Sequence, residues 1–125
     1  MCPGARRFTR RARLTGREEY QRVFKDCRFR LGNRLITLLA TPNTMDRPRL
    51  GLAISRKVAR TAVARNRIKR VIRESFRHHQ DRLCALDIVV LGRTGVAETG
   101  SRELGKALES LWTGLIEKCA GQSSN

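Results

Sequence analysis

Residues 56–77 read RKVARTAVARNRIKRVIRESFR, and the rest of the chain is arranged around them. Nine of these 22 residues are Lys or Arg and one, Glu74, is acidic, a net +8 out of the +16 carried by all 125 residues. Ile68, Val71, Ile72, Ser75 and Phe76 recur at spacings of three and four. At about 100° per residue they fall on one side of a helix. Arg65, Asn66, Lys69, Arg70, Arg73 and Arg77 share an adjoining arc. One surface buries and the other is a cationic stripe. A solvated helix face usually mixes charges of both signs. This stripe has almost no acids, and its self-repulsion opposes folding unless a polyanion is the partner.

The spacing predicts this helix over 61–79, with Thr61 as its cap. Residues 56–60, which include Arg56, Lys57 and Arg60, read as the loop that leads into it. Upstream, 50–55 (LGLAIS) and 34–41 (RLITLLAT) read as strands joined by a Pro- and Asn-containing turn, hence an antiparallel hairpin. A third short strand is expected within 27–31. Downstream, 87–92 (DIVVLG) is a continuous apolar run, the pattern of a strand covered on both faces. Strand, long helix, strand make a βαβ unit, right-handed by the general rule.

At the front, Thr15 and Glu18 fit a capping box, and Tyr20, Val23, Phe24 and Cys27 form the apolar face of a helix over 15–27. At the back, Leu104, Leu108, Leu111, Trp112, Leu115 and Ile116 make one helical face, with Trp112 as a core anchor. The expected architecture is a single α+β domain (an α/β sandwich) with about four strands and three helices in the order α-β-β-β-α-β-α. Its bounds are set at 14–118, between a basic flexible tail (1–13) and a short C-terminal tail (119–125).

A net charge of +16 and a pI near 11.5 point to RNA, DNA or an anionic membrane as partner. No apolar run reaches the roughly 18 residues of a membrane span, and no secretory signal is evident at the N-terminus. The charge is uneven: residues 1–30 carry ten Lys/Arg against three acids, and 78–125 carry five against six. A localised basic surface suits docking of a specific RNA. Of the 27 cations 22 are Arg, whose planar fork grips phosphate in pairs of hydrogen bonds and stacks on bases. Asn66 can donate and accept at a base edge.

The four cysteines, Cys2, Cys27, Cys84 and Cys119, have no metal-ligand spacing and read as free thiols of a reducing cytosol. The adjacent His78 and His79 read as a helix end. No catalytic residues and no metal site are expected on the chain, because nuclease chemistry needs clustered carboxylates or a paired acid and base. Tyr20 and Phe24 fit either a core stripe or the edge of a cleft where rings stack on bases.

The stretch ARNRIKRVIRESF (64–76) resembles the signature of the protein subunit of bacterial ribonuclease P, known in that family as the RNR motif. The likeness runs upstream through RLGLAISRK (49–57) and RLT and EYQRVF (13–15, 19–24), and downstream to DIVV (87–90) and the Leu108 to Trp112 helix. It spans about residues 10–116. The resemblance implies a left-handed βαβ crossover and an RNA partner that is itself the catalyst. That RNA holds the magnesium ions and removes the 5′ leader from precursor tRNA. It further implies a cytoplasmic ribonucleoprotein with no membrane and no obligate protein partner. By position, Arg65, Asn66, Arg67, Lys69, Arg70 and Arg73 correspond to the RNA-docking motif, with Arg56 and Lys57 at the sheet end beside it, and Arg60 and Arg77 are assigned to the same RNA-binding surface. Tyr20 and Phe24 correspond to the leader-binding cleft. The family often carries a third cleft ring near Leu38, where this chain has Leu35, Ile36, Leu38 and Leu39. The rival readings are a ribosomal-type RNA-structuring protein, a self-sufficient nuclease and a DNA binder.

Overall fold

The computed structural model describes residues 16–43 and 47–123, with side chains through 119. Its elements are α1 (Arg17–Lys25), β1 (Phe29–Gly32), β2 (Ile36–Pro42), β3 (Arg49–Ala53), α2 (Ala62–His79), β4 (Leu86–Gly92) and α3 (Ser101–Ser123), with a 3-10 turn at Val96–Glu98. The order α-β-β-β-α-β-α is the expected one. α3 continues to Ser123, through residues read from sequence as tail. α1 is shorter than expected and ends before Cys27.

The expected hairpin does not form. The sheet order is β1-β2-β4-β3, so β4 lies between the two strands predicted to pair. β4 runs antiparallel to β2 and parallel to β3. The reason lies in β4 itself: Leu86, Ile88, Val89 and Val90 are all buried, on both alternating faces. A strand apolar on both sides belongs at the centre of a sheet.

On one face of the sheet, Ile36, Leu38, Ala40, Leu50, Ile88 and Val90 join Ile68, Ile72 and Phe76 of α2 and Leu104, Leu108, Trp112 and Leu115 of α3 in the main core. Phe76 meets Trp112 edge-on with ring centroids 5.8 Å apart, and Trp112 Nε1 donates to Ser75 Oγ at 2.8 Å. On the other face, Leu39 and Val89 pack with Val23 of α1, and Tyr20, Cys27, Ala53 and Leu91 surround them.

The free-thiol expectation needs correction for two cysteines. Cys84, before β4, is disulfide-bonded to Cys119 near the end of α3, with Cα atoms 6.4 Å apart. They stand 35 residues apart in sequence, and only the packing of α3 brings them together. Cys27 is a free thiol, and Cys2 lies outside the described residues. So does Thr15, the expected cap. The N-cap of α1 is Gly16, whose N–H donates to the Glu19 carboxylate at 3.2 Å.

α1 is fastened to the sheet by one buried carboxylate. Asp87 has no solvent exposure and accepts from Arg49 Nε and Nη2 at 2.8 Å each, from Asn43 Nδ2 at 2.8 Å, and from Arg22 of α1. Arg49 also bonds Glu19 of α1 at 2.6 Å. Burial alone would raise the Asp87 pKa. The hydrogen bonds from Arg49 and Asn43 and the charges of Arg49 and Arg22 outweigh it, and the carboxyl sits below its ordinary value.

A carboxyl with a lowered folded-state pKa contributes stability above its unfolded value and loses it as pH falls through the folded one. Asp87→Asn is therefore expected to cost about 3 kcal/mol in urea unfolding near neutral pH, since it leaves guanidinium groups without their counter-charge. It should also shrink the loss of stability that the parent suffers below about pH 4. An acid limb as steep in the variant as in the parent would contradict this.

Candidate nucleic-acid interface

α2 begins at Thr61, whose hydroxyl accepts from the Ala64 N–H at 3.0 Å, and its first turn holds no acid. The helix dipole thus adds positive potential where the basic residues start. The burial of Ile68, Ile72 and Phe76 fixes the rotation of the helix. That rotation turns Asn66 and Arg70 outward and leaves Lys69 and Arg73 half-buried. Lys69, Arg70 and Arg73 pair with no acid among the described residues. Arg56, Lys57 and Arg60 are exposed in the turn between β3 and α2, and are likewise without acidic partners there. Together they extend the stripe to the C-terminal end of β3.

Three of the residues assigned from sequence to the stripe are engaged within the fold. Arg65 Nη1 donates to the Ala59 carbonyl at 3.0 Å and to the Arg60 carbonyl at 3.2 Å, bracing the turn before α2. Arg67 donates to the Ala97 carbonyl at 3.0 Å and to Ser101 Oγ at 3.2 Å, joining α2 to the start of α3. Arg77 bonds Glu74, with Nε–Oε1 at 3.2 Å, and that hydrogen bond holds the Glu74 carboxyl below its ordinary value. His78 shares the same carboxylate at 3.1 Å. The one acid of the basic segment is thus occupied by its own neighbours.

The opposite sheet face presents the two rings. Phe24 is 48% exposed, uncommon for a ring in a small domain. Tyr20 is more committed: its hydroxyl accepts from the Leu52 N–H at 3.1 Å, and its ring lies against β3. A Cβ on Gly51 would stand 2.7 Å from the Tyr20 ring, so glycine there lets the ring lie on the strand and any larger residue would displace it. Leu38 is fully buried in the main core, so Thr37 and Leu39 are the β2 residues on the α1 side of the sheet, with Leu39 buried against Val23. Arg30 pairs across from Leu39 and shares its face, so an exposed cation stands on β1 on the same side of the sheet as the rings. The sequence reading missed it. The alternation in Phe29-Arg30-Leu31, apolar against charged, was the available signal.

Residues 8–115 match the family model described as Ribonuclease P. The chain belongs to the ribonuclease P protein family. It is 47% identical over 117 residues to the ribonuclease P protein component of Methylococcus capsulatus, covering 94% of this chain and 91% of that one. It is 41% identical over 114 residues to that of Aliivibrio fischeri, covering 91% and 97%. Among solved structures, the Staphylococcus aureus RNase P protein superposes with a TM-score of 0.75 at 31% identity, covering 87% of this chain and 94% of that one. The Thermotoga maritima RNase P protein gives 0.71 at 31%, covering 80% and 94%. The four-stranded mixed sheet with three helices is thus the fold of ribonuclease P proteins.

Within this family member the basic segment divides into braces and free cations, and the two kinds are separable. Arg67→Ala is expected to lower stability by about 1–2 kcal/mol, through two lost hydrogen bonds from a charged donor. Arg70→Ala should stay within about 0.5 kcal/mol of the parent. Thermal melts of the free protein distinguish them, and equal destabilisation would contradict the division.

Proposed function

We propose that this chain is the protein component of a ribonuclease P ribonucleoprotein and assists removal of the 5′ leader from precursor tRNA in the cytoplasm. The observation that carries the reading is the row of cations on α2 and the preceding turn, Arg56, Lys57, Arg60, Lys69, Arg70 and Arg73, with no acidic partners among the described residues. Such a row is matched to a folded RNA backbone, and each phosphate it neutralises releases counterions. Arg65, Arg67 and Asn66 contribute by holding or continuing that surface.

On this reading the catalytic groups belong to the RNA, which also binds magnesium through its phosphates. Magnesium supplies charge stabilisation at the scissile phosphate. The donor set here fits that division. Glu74 is held by Arg77 and His78, and no group of three or more His, Cys, Asp or Glu gathers as a metal site among the described residues. No described helix is long and apolar enough to cross a membrane.

The leader lies on the α1 face of the sheet. Phe24 offers its exposed ring to a base, Arg30 flanks the path, and Tyr20 forms the floor. With no ring on β2, stacking falls mainly on Phe24.

Two measurements test this. Leader removal at limiting magnesium, by the partner RNA with and without this chain, should rise when the chain is added; no gain sinks the reading. Phe24→Ala should weaken binding of precursor tRNA roughly tenfold, the worth of one stacked base, and barely change binding of mature tRNA. Equal loss for both would make Phe24 a packing residue only.

A further inference from the structure

Between α2 and α3, on the side away from the leader face, lies a groove of about 550 Å³. Arg70 of α2 and Arg102 and Lys106 of α3 line it, together with Val71, Gly105 and the carboxylates Glu74 and Glu109. Most of its inner surface is apolar, and the three cations are part of its lining. No acid is paired with these three among the described residues. Glu109 is unpaired there too, and Glu74 is already taken by Arg77 and His78.

Gly105 is the residue that packing leaves unaccounted for. It lies inside α3, where glycine is among the worst helix formers. Its φ is not positive, and a Cβ added there would meet nothing within 4 Å. The same helix offers a contrast: a Cβ on Gly114 would come within 3.1 Å of Leu31, so that glycine serves close packing. Gly105 lines the groove, and a longer side chain placed there would project into its open space.

We propose that this groove receives a single unpaired nucleotide of the RNA partner, its base lying over Gly105 and Val71 and its flanking phosphates held by Arg70, Arg102 and Lys106. The inference rests on the RNA-binding reading above and adds a second, base-contacting site to it. A largely apolar lining that includes two guanidinium groups and an ammonium group suits a nucleotide, whose base is flat and apolar on its faces and whose ends are anionic. A cavity of this size takes one nucleotide. The Glu109 carboxylate at the wall accepts hydrogen bonds, which favours a base with an amino group, such as guanine, adenine or cytosine, over uracil.

The test uses the full chain and the RNA component of the same ribonucleoprotein. Filter binding gives affinity, and base-modifying reagents report which unpaired bases the protein shields. Gly105→Leu fills the groove with a better helix former, so its melting temperature should not fall. Its RNA affinity should drop on the order of tenfold, with the salt slope unchanged, because base contact is lost and phosphate contact is kept. One or two bases shielded by the parent should become reactive. Arg102→Ala, an exposed change, gives a second arm: affinity falls and the salt slope shrinks by about 0.7–0.9.

Parent-like affinity and shielding in Gly105→Leu would overturn the proposal. So would a groove that takes free guanosine monophosphate while the RNA affinity of Gly105→Leu stays unchanged. Lys69→Ala separates the two readings. Loss of RNA affinity in Lys69→Ala but not in Gly105→Leu removes the groove alone. No loss in either removes RNA docking as well.

Discussion

The fold depends on how α2 is seated. Ile68, Ile72 and Phe76 are fully buried against the sheet and α3, and Ser75 is pinned by the Trp112 indole. These contacts set the rotation of an 18-residue helix. Once it is set, the cations between them have nowhere to go but the surface. Apolar burial, worth about 1.5–3 kcal/mol for each large side chain, thereby holds together charges that repel one another. The repulsion is spread along a solvent-facing edge, where water and salt screen it, and a polyanion relieves it further.

The second face answers to a different constraint. α1 is only nine residues long and buries one side chain fully, Val23. Apolar packing alone is a weak hold for so short a helix. The buried Asp87 supplies the rest, gathering Arg22 from α1, Arg49 from β3 and Asn43 beside β2 at one point. Arg49 reaches back to Glu19, so the helix is tied at two places. Held there, α1 lays Tyr20 on the bare backbone of Gly51 and leaves Phe24 standing clear. The rings and the cations are then on opposite layers, and the turn after β3 with Arg56, Lys57 and Arg60 runs between the layers.

Much of this was written in local sequence. Thr61 caps α2, and His79 ends it, as the spacing implied. The apolar face of α3 and the core position of Trp112 followed from periodicity. What was missed is non-local. A turn rich in Pro and Asn suggests a hairpin, but strand neighbours are chosen by burial, and β4 has the stronger claim to the centre. Cys84 and Cys119 meet only because α3 folds back beside α2. Arg65 and Arg67 look like their neighbours in the stripe, yet carbonyls at Ala59 and Ala97 draw them inward. Nothing in the motif separates a bracing arginine from one left exposed. Asp87 lies at the start of a run that reads as apolar, and its role appears only when Arg22 and Arg49 converge on it.

The central claim is that the α2 surface is an unneutralised cationic field and not a network of surface ion pairs. The melting temperature of the free protein at neutral pH, followed as sodium chloride is raised from about 0.02 M to about 0.5 M, tests it directly. Screening should relieve the repulsion and raise the melting temperature. A melting temperature that falls over that range would mean that attractive pairs dominate, and would contradict the account.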